Sequence, residues 1–203
     1  IKLLYSSPVT NAQIILGKYL SMMIYNLVLM CIFAVYLLFA AITIKSADIP
    51  LILSGMLGLY LLVCAYAAIG LFMSSITSYQ VVAAMGTLAV LAVLNLVGDM
   101  WQDIDFVRDI TYWLAINGRA QEFINGLICS EDVLYFVIVV VLFLFLSIIR
   151  LQSRRQRTTW MTTVGKYGSV IVIAMLLGYL TSRPKLMCFY DTTATKQRTL
   201  TPN

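Results

Sequence analysis

The sequence contains no histidine, and only 11% of its 203 residues are charged. The missing histidine excludes His-ligated zinc, bis-histidine haem and the Ser-His and Cys-His pairs of nucleophilic catalysis. The four cysteines, Cys31, Cys64, Cys129 and Cys188, lie too far apart along the chain for a CxxC metal or redox pair. The sequence also lacks a GxxxxGK[ST] phosphate loop. We therefore expect no ATP hydrolysis by this chain, no catalytic residue, and no bound metal or cofactor.

Apolar residues, in contrast, make up 61% of the chain, against roughly 45–50% in ordinary globular proteins. A soluble domain of this size could not cover so large an apolar core with so few polar side chains. The composition therefore predicts an integral membrane protein in contact with lipid. Because backbone groups inside lipid must be hydrogen-bonded within the chain, the predicted fold class is all-α.

Five apolar stretches reach or approach the roughly 20 residues with which a helix crosses the hydrocarbon core. They cover residues 14–44, 51–73, 81–97, 133–149 and 164–180. The first is too long for one span, since a helix from Ala12 would extend for about 50 Å. We expect its first two turns to lie at the membrane surface, with Lys18 reaching the headgroups. Thr10 and Gln13 predict a capping box at its start.

The charged residues are divided unevenly between the two sides of this predicted topology. With the N-terminus inside, all nine acidic residues fall outside, and the inner segments contain only basic ones. Those basic residues are Lys2, Lys18, Arg150, Arg154, Arg155, Arg157 and Lys166. The positive-inside rule then predicts a cytoplasmic N-terminus, a basic cytoplasmic linker over residues 150–163 and a periplasmic C-terminal tail. Since a membrane anchor explains the arginine-rich run, no nucleic-acid partner is expected.

The outer segment, residues 98–132, is the longest connection and has an amphipathic pattern. Apolar residues at helical spacing predict one helix over residues 104–116, and a second short helix is expected near residues 120–128. We interpret the pair as a helical hairpin that lies on the outer leaflet or re-enters it. Its interfacial residues are predicted to be Trp101, Phe106, Ile110 and Trp113. The alternative is a surface loop without function.

Small residues and two asparagines are the features of note within the spans. The small residues predict faces on which helices pack closely: Gly55, Gly58, Ala65, Ala67, Ala68, Gly70, Ser74, Ala83, Ala84, Gly86 and Ala89. Asn26 and Asn95 are expected to hydrogen-bond to a neighbouring helix, the alternative being a functional polar site. No acidic or basic residue lies in the middle of a span, which argues against a proton- or ion-coupled carrier.

The N-terminal stretch Leu3-Leu4-Tyr5-Ser6-Ser7-Pro8-Val9-Thr10, followed by Gly17-Lys18, resembles the cytoplasmic loop after the second span of ABC-2-type transporter permeases. The resemblance implies that residues 1–13 form a cytoplasmic segment that couples to a separate ATPase. Residues 14–149 would be the permease transmembrane region without its first two spans. The residues that would contact the ATPase are Leu3, Leu4, Ser6, Ser7, Pro8 and Val9.

Within that family the chain is most similar to the gliding-motility-associated permease of Bacteroidetes, above all over residues 68–83, AIGLFMSSITSYQVVA. Residues 164–203 resemble the N-terminal anchor and the start of the periplasmic domain of the partner auxiliary subunit. This similarity implies a permease fragment joined in cis to that subunit. The alternative is an ordinary polar tail.

These resemblances imply a permease subunit of an ATP-driven exporter in the bacterial inner membrane. ATP would be bound by the partner ATPase, and the transport path would lie between two permease copies. The transported substrate cannot be identified from the sequence. The competing hypothesis is a non-transporting scaffold that anchors a periplasmic domain, and the coupling segment is the feature that separates the two.

Overall fold

The computed structural model describes residues 10–43, 49–96, 123, 127–156, 160–181 and 189–191. The described parts form five helices: α1 (Asn11–Thr43), α2 (Ile49–Ile76), α3 (Gln80–Leu96), α4 (Ser130–Gln156) and α5 (Trp160–Thr181). Two three-residue strands, β1 (Leu127–Cys129) and β2 (Phe189–Asp191), pair in an antiparallel ladder. The prediction of an all-α polytopic membrane fold is confirmed.

Three of the helices are long and apolar enough to cross a membrane. The qualifying segments are Asn11–Phe39 in α1, Ile49–Ile76 in α2 and Ser130–Ser153 in α4. The apolar parts of α3 and α5, Gln80–Asn95 and Val164–Gly178, are shorter. The sequence thus predicted the five helices correctly, but the length and composition of a full span are met by three of them.

Helices α2 and α4 form the centre of the described bundle, where they make its most extensive helix contact. Helices α1 and α3 pack against α2, and α5 packs against α4. Gly70 of α2 faces Thr87 of α3, and Met73 lies against Gly86. The end of α2 therefore contacts the beginning of α3, which makes these neighbours antiparallel, as the short connection between them requires.

The two ends of the bundle differ in charge. Ile15 and Tyr19, near the start of α1, pack with Leu144 and Leu151 of α4. We call this the entry end; α1 begins here and α4 approaches its C-terminus. The basic residues Lys18 and Arg150 are at this level, whereas Glu131 and Asp132 begin α4 at the opposite end. Eighteen residues separate Asp132 from Arg150, or about 27 Å of helix, which is close to the thickness of a hydrocarbon core.

Local sequence explains where α1 and α2 begin. The Thr10 backbone N–H donates to Gln13 Oε1 at 2.9 Å, and the Gln13 N–H donates to Thr10 Oγ1 at 3.3 Å. This reciprocal pair confirms the predicted capping box. Pro50 is the second residue of α2, where the N–H that proline lacks has no helical acceptor to lose.

Two predictions of local structure are corrected. The second outer helix was expected to reach residue 128, but Leu127–Cys129 is a strand, because its backbone pairs with Phe189–Asp191 rather than with the preceding turn. Phe123, within the same predicted helix, is helical.

The small residues Gly58, Ala65 and Ala68 are buried as predicted for close packing. Ser74, Ala84 and Ala89, however, are exposed, since they lie on the faces of α2 and α3 turned away from their neighbours.

Candidate functional site

The residues that the sequence assigned to coupling and to the outer interface lie outside the described residues. They are Leu3, Leu4, Ser6, Ser7, Pro8 and Val9 in the coupling segment, and Trp101, Phe106, Ile110 and Trp113 in the outer segment. The structure describes α1, which follows the coupling segment in the sequence, and α3 and α4, which precede and follow the outer segment. The candidate site is therefore built from the start of α1 and from its contacts with α2 and α4.

The start of α1 is held to the central helix pair by two side chains one helical turn apart. Ile15 and Tyr19 are 4% and 6% exposed, and they pack against Ala68, Leu71 and Leu144. The Tyr19 hydroxyl donates a hydrogen bond to the Cys64 backbone carbonyl at 3.2 Å. Because a backbone carbonyl oxygen has two lone pairs, it can accept this bond and still accept the N–H of its own helix. The first turns of α1 are thus joined to α2 and α4 by both packing and a hydrogen bond.

The capped first turn of α1 and its contact with the bundle belong to one continuous helix. The capping box makes the turn at Thr10 part of a continuous helix that includes Ile15 and Tyr19. The capped turn at Thr10 therefore lies within about two to three helical turns of the side chains that contact the α2–α4 pair.

At the opposite end, Phe123 is inserted into the bundle. It is fully buried and packs in one cluster with Ile69, Tyr135 and Phe136. Its ring centroid lies 6.3 Å from that of Phe136, in the tilted arrangement that aromatic pairs favour. A Cβ added at Gly58 would overlap the Phe123 side chain. The absence of a side chain at position 58 is what allows this close approach.

A hydrogen bond fixes the same contact. The Ser54 hydroxyl, which is 2% exposed, lies 3.0 Å from the Phe123 carbonyl oxygen and 2.8 Å from that of Leu51. Serine commonly donates to a carbonyl of its own helix, and here the hydroxyl also reaches a carbonyl 69 residues away. The outer segment is therefore held against α2 at Phe123.

Few polar side chains lie inside the bundle among the residues that the structure describes. The Oδ1 atom of Asn95 is buried and has no hydrogen-bond partner within the described ranges. The predicted interhelical bond to this oxygen is thus not formed there. Asn26 is half-buried on α1. In the same ranges no group of three or more cysteine or acidic side chains could hold a metal ion.

Large apolar side chains cover the outward surfaces of α1 and α3. On α1 the exposed ones include Tyr36, Phe39 and Ile42, and on α3 they include Met85 and Leu88. In water such surfaces would aggregate, whereas in a bilayer they match the acyl chains. They are therefore the lipid-facing or subunit-facing surfaces of the bundle.

Sequence reasoning missed Tyr19, Ser54 and Phe123, the three residues that make the specific contacts. Tyr19 and Phe123 were counted only as apolar residues in a span and in a predicted interfacial helix. The signal that could have pointed to Phe123 was Gly58, because a glycine in a packing face invites a large partner. Nothing in the sequence indicates which residue that partner is, since it lies 65 positions further along the chain.

Comparison with protein families places most of the chain in a known family. The sequence model of the family described as ABC-2 family transporter protein matches residues 1–156. The match includes the undescribed N-terminal segment and all of α1–α4. No curated protein and no solved structure matches the chain.

Proposed function

The chain belongs to the ABC-2 family of transporter proteins, and we propose that it is the permease subunit of an ATP-driven exporter which couples to a separate ATPase through residues 1–9. Membership of the family makes it a membrane component of an ABC transporter and implies association with an ATPase subunit. The proposal adds the direction of transport, the location of the coupling segment and the residues that carry it. ATP would be bound by the ATPase partner alone.

The single observation that carries the proposal is the contact of α1 with the central pair at the entry end. The coupling residues directly precede the capped start of α1, and Tyr19 and Ile15 join that start to α2 and α4. Apolar side chains of a short helix inserted into a groove of a partner form a common mode of recognition. Leu3, Leu4 and Val9 would insert in this way, and movement of the ATPase would tilt α1 against the centre of the bundle.

The same proposal assigns sides of the membrane and further partners. The basic entry end would face the cytoplasm, and the acidic start of α4 would face the periplasm of the bacterial inner membrane. The exposed apolar surfaces of α1 and α3 leave room for a second permease copy, with the transport path between the two. The tail after α5 would begin the periplasmic domain of a gliding-motility-type auxiliary subunit fused in cis.

The test is Leu4→Asp in the full-length transporter. A carboxylate placed in an apolar groove without a partner costs several kcal/mol, so co-purification of the ATPase and ATP-dependent transport should fall together. Membrane insertion should not change, because the helices that span the membrane are untouched.

Leu4→Met is the matched control, since it keeps an apolar side chain of similar volume and should retain both ATPase binding and transport. Wild-type recovery of the ATPase with Leu4→Asp would contradict the role of Leu4. If the wild-type chain neither retained an ATPase nor supported transport, it would instead fit the scaffold hypothesis.

A further inference from the structure

The part of the chain that follows the family match is attached to the bundle in two places. The match ends at residue 156, and α5 and β2 come after it. Helix α5 packs against α4, and strand β2 pairs with β1, which directly precedes α4. Both attachments therefore involve α4 or the residues that lead into it.

Helix α5 has a narrow buried face made of small residues. Ala174 is 6% exposed and Gly178, one turn later, is also buried, whereas Ile171 and Ile173 are exposed. Small residues four positions apart lie on the same face and let two helices approach closely. Because only residues 157–159 connect the two helices, α5 runs antiparallel to α4. The last turn of α5 therefore lies beside the first half of α4.

The β1–β2 ladder depends on this helix contact. Each strand has three residues, with Ile128 opposite Tyr190 at the centre, and a two-stranded pair on its own is marginally stable at best. Strand β1 is held in place because Cys129 is buried and Ser130 begins α4 without an intervening residue. Strand β2 follows α5, which brings it to the same end of α4. Docking of α5 therefore favours the ladder.

Strand β1 lies between Phe123 and α4 in the sequence. Leu127 follows Phe123 by four residues, so their Cα atoms are at most about 14 Å apart. Tyr135 and Phe136, in the second turn of α4, belong to the same buried cluster as Phe123. Strand β1 is thus tied on one side to Phe123 and on the other to the helix against which Phe123 packs. A ladder that fixes β1 also restricts the positions that Phe123 can reach.

We propose that α5 and β2 form a strap that holds Phe123 in its buried position between α2 and α4. When the strap is docked, the ladder fixes β1 and favours burial of Phe123. When the strap is released, β1 loses its partner and Phe123 leaves the bundle more readily. The two events are linked, so each favours the other by the same free energy. The segment beyond the family match thereby controls the end of the bundle at which α4 begins. The argument depends on the fold and not on transport.

A thiol at position 54 reports on the Phe123 contact. The parent protein for the test is the full chain with Ser54→Cys and with its four native cysteines replaced by alanine. Ser54 is 2% exposed, and its hydroxyl donates to the Phe123 carbonyl. A thiol there is shielded while Phe123 is in place, so a water-soluble maleimide should label it slowly. Phe123→Ala in the parent removes the buried ring and gives the labelling rate of the open contact.

The ladder is broken by Phe189→Pro and, in a separate variant, by Tyr190→Pro. Because hydrogen-bonded and non-bonded pairs alternate along an antiparallel ladder, one of these two positions donates to β1, and proline cannot donate. The variant at the donating position should be labelled about tenfold faster than the parent, a typical size for coupling between two sites. Tyr190→Val, which favours a strand, should be labelled at the parent rate. Labelling of both proline variants at the parent rate would overturn the proposal.

A matched pair of glycine variants tests the contribution of α5. Gly178→Leu puts a large side chain at a buried position, so it should undock α5 and accelerate labelling by a similar factor. Gly168→Leu adds the same side chain where nothing lies within 4 Å of the new Cβ, and it should have no effect. If Gly178→Leu does not insert into the membrane, the proline variants decide alone, because they leave every helix unchanged. Labelling of Gly178→Leu at the parent rate, or equal acceleration by Gly168→Leu, would contradict the role of α5.

Discussion

Helices α1 and α2 have nearly the same mean hydropathy but opposite environments. None of the most apolar part of α1 is buried within the described chain, whereas 33% of the corresponding part of α2 is. Both would be identified equally well as membrane spans from composition. The difference shows that hydropathy determines whether a helix enters the bilayer, and that something else determines what it packs against.

The second factor is the size of the side chains on one face. In lipid the hydrophobic effect does not drive helices together, so close packing of small residues does. The buried face of α2 contains Gly58, Ala65 and Ala68, which let α4 and Phe123 approach. The middle of α1 instead presents large side chains such as Ile24, Leu27 and Tyr36 to the surroundings. Among the described residues of α1, only Ile15 and Tyr19 in its first turns are fully buried.

The largest expected effect is that of Ile69→Ala, which tests this contrast directly. Ile69 is fully buried and belongs to the core cluster that also contains Ala65 and Phe136, so its truncation leaves a cavity. We expect a loss of about 2 kcal/mol, the low end of the range for buried Ile→Ala, because in lipid the transfer contribution is small. Ile24→Ala on α1, where the side chain is 58% exposed, should cost almost nothing.

The measurement is the free energy of unfolding in mixed micelles of detergent and a denaturing surfactant, compared between the two variants. A similar loss for Ile24→Ala would mean that α1 is as tightly packed as α2 in the assembled protein. That result would place a second subunit on the exposed face of α1.

The fold was largely predictable from the sequence, because lipid imposes helices and the lengths of the apolar stretches set their limits. Even the cap at Thr10 and Gln13 was predicted, since both partners are local in sequence. The pairing of Leu127–Cys129 with Phe189–Asp191 was not. It joins segments about 60 residues apart, and short strands carry no periodic signal long enough to detect.

A smaller effect is expected from Gly58→Ala. The added methyl group would overlap Phe123, and overpacking typically costs about 1–3 kcal/mol. Because the overlap with Phe123 is severe, we expect the upper part of this range, about 2–3 kcal/mol. The better helix propensity of alanine returns about 1 kcal/mol, so the net loss should be about 1–2 kcal/mol. Gly17→Ala on α1, with nothing within 4 Å of the new atom, should be neutral or slightly stabilising in the same unfolding assay. A neutral Gly58→Ala would show that Phe123 does not occupy this position.

The candidate site was less predictable than the fold, for a reason that Tyr19 illustrates. A tyrosine in an apolar helix indicates a membrane interface or a polar contact equally well. Tyr25 and Tyr36 belong to the same helix and have the same side chain, but they are 65% and 71% exposed, against 6% for Tyr19. Only the three-dimensional packing of α1 on α2 distinguishes the one that matters.

The smallest expected effect on stability is that of Tyr19→Phe, yet it bears most directly on coupling. The change removes the hydrogen bond to the Cys64 carbonyl and keeps the buried ring. Interhelical hydrogen bonds in membranes contribute about 0.6 kcal/mol on average, so the unfolding free energy should fall by roughly that amount. If the entry end transmits movement from the ATPase, transport per ATP hydrolysed should fall as well, while ATPase binding is retained.

The control is Tyr36→Phe, whose hydroxyl is on the exposed part of α1. It should change neither the unfolding free energy nor the transport per ATP hydrolysed. Equal transport by Tyr19→Phe and the wild type would show that packing of Ile15 and the Tyr19 ring is sufficient, and that the hydrogen bond takes no part in coupling.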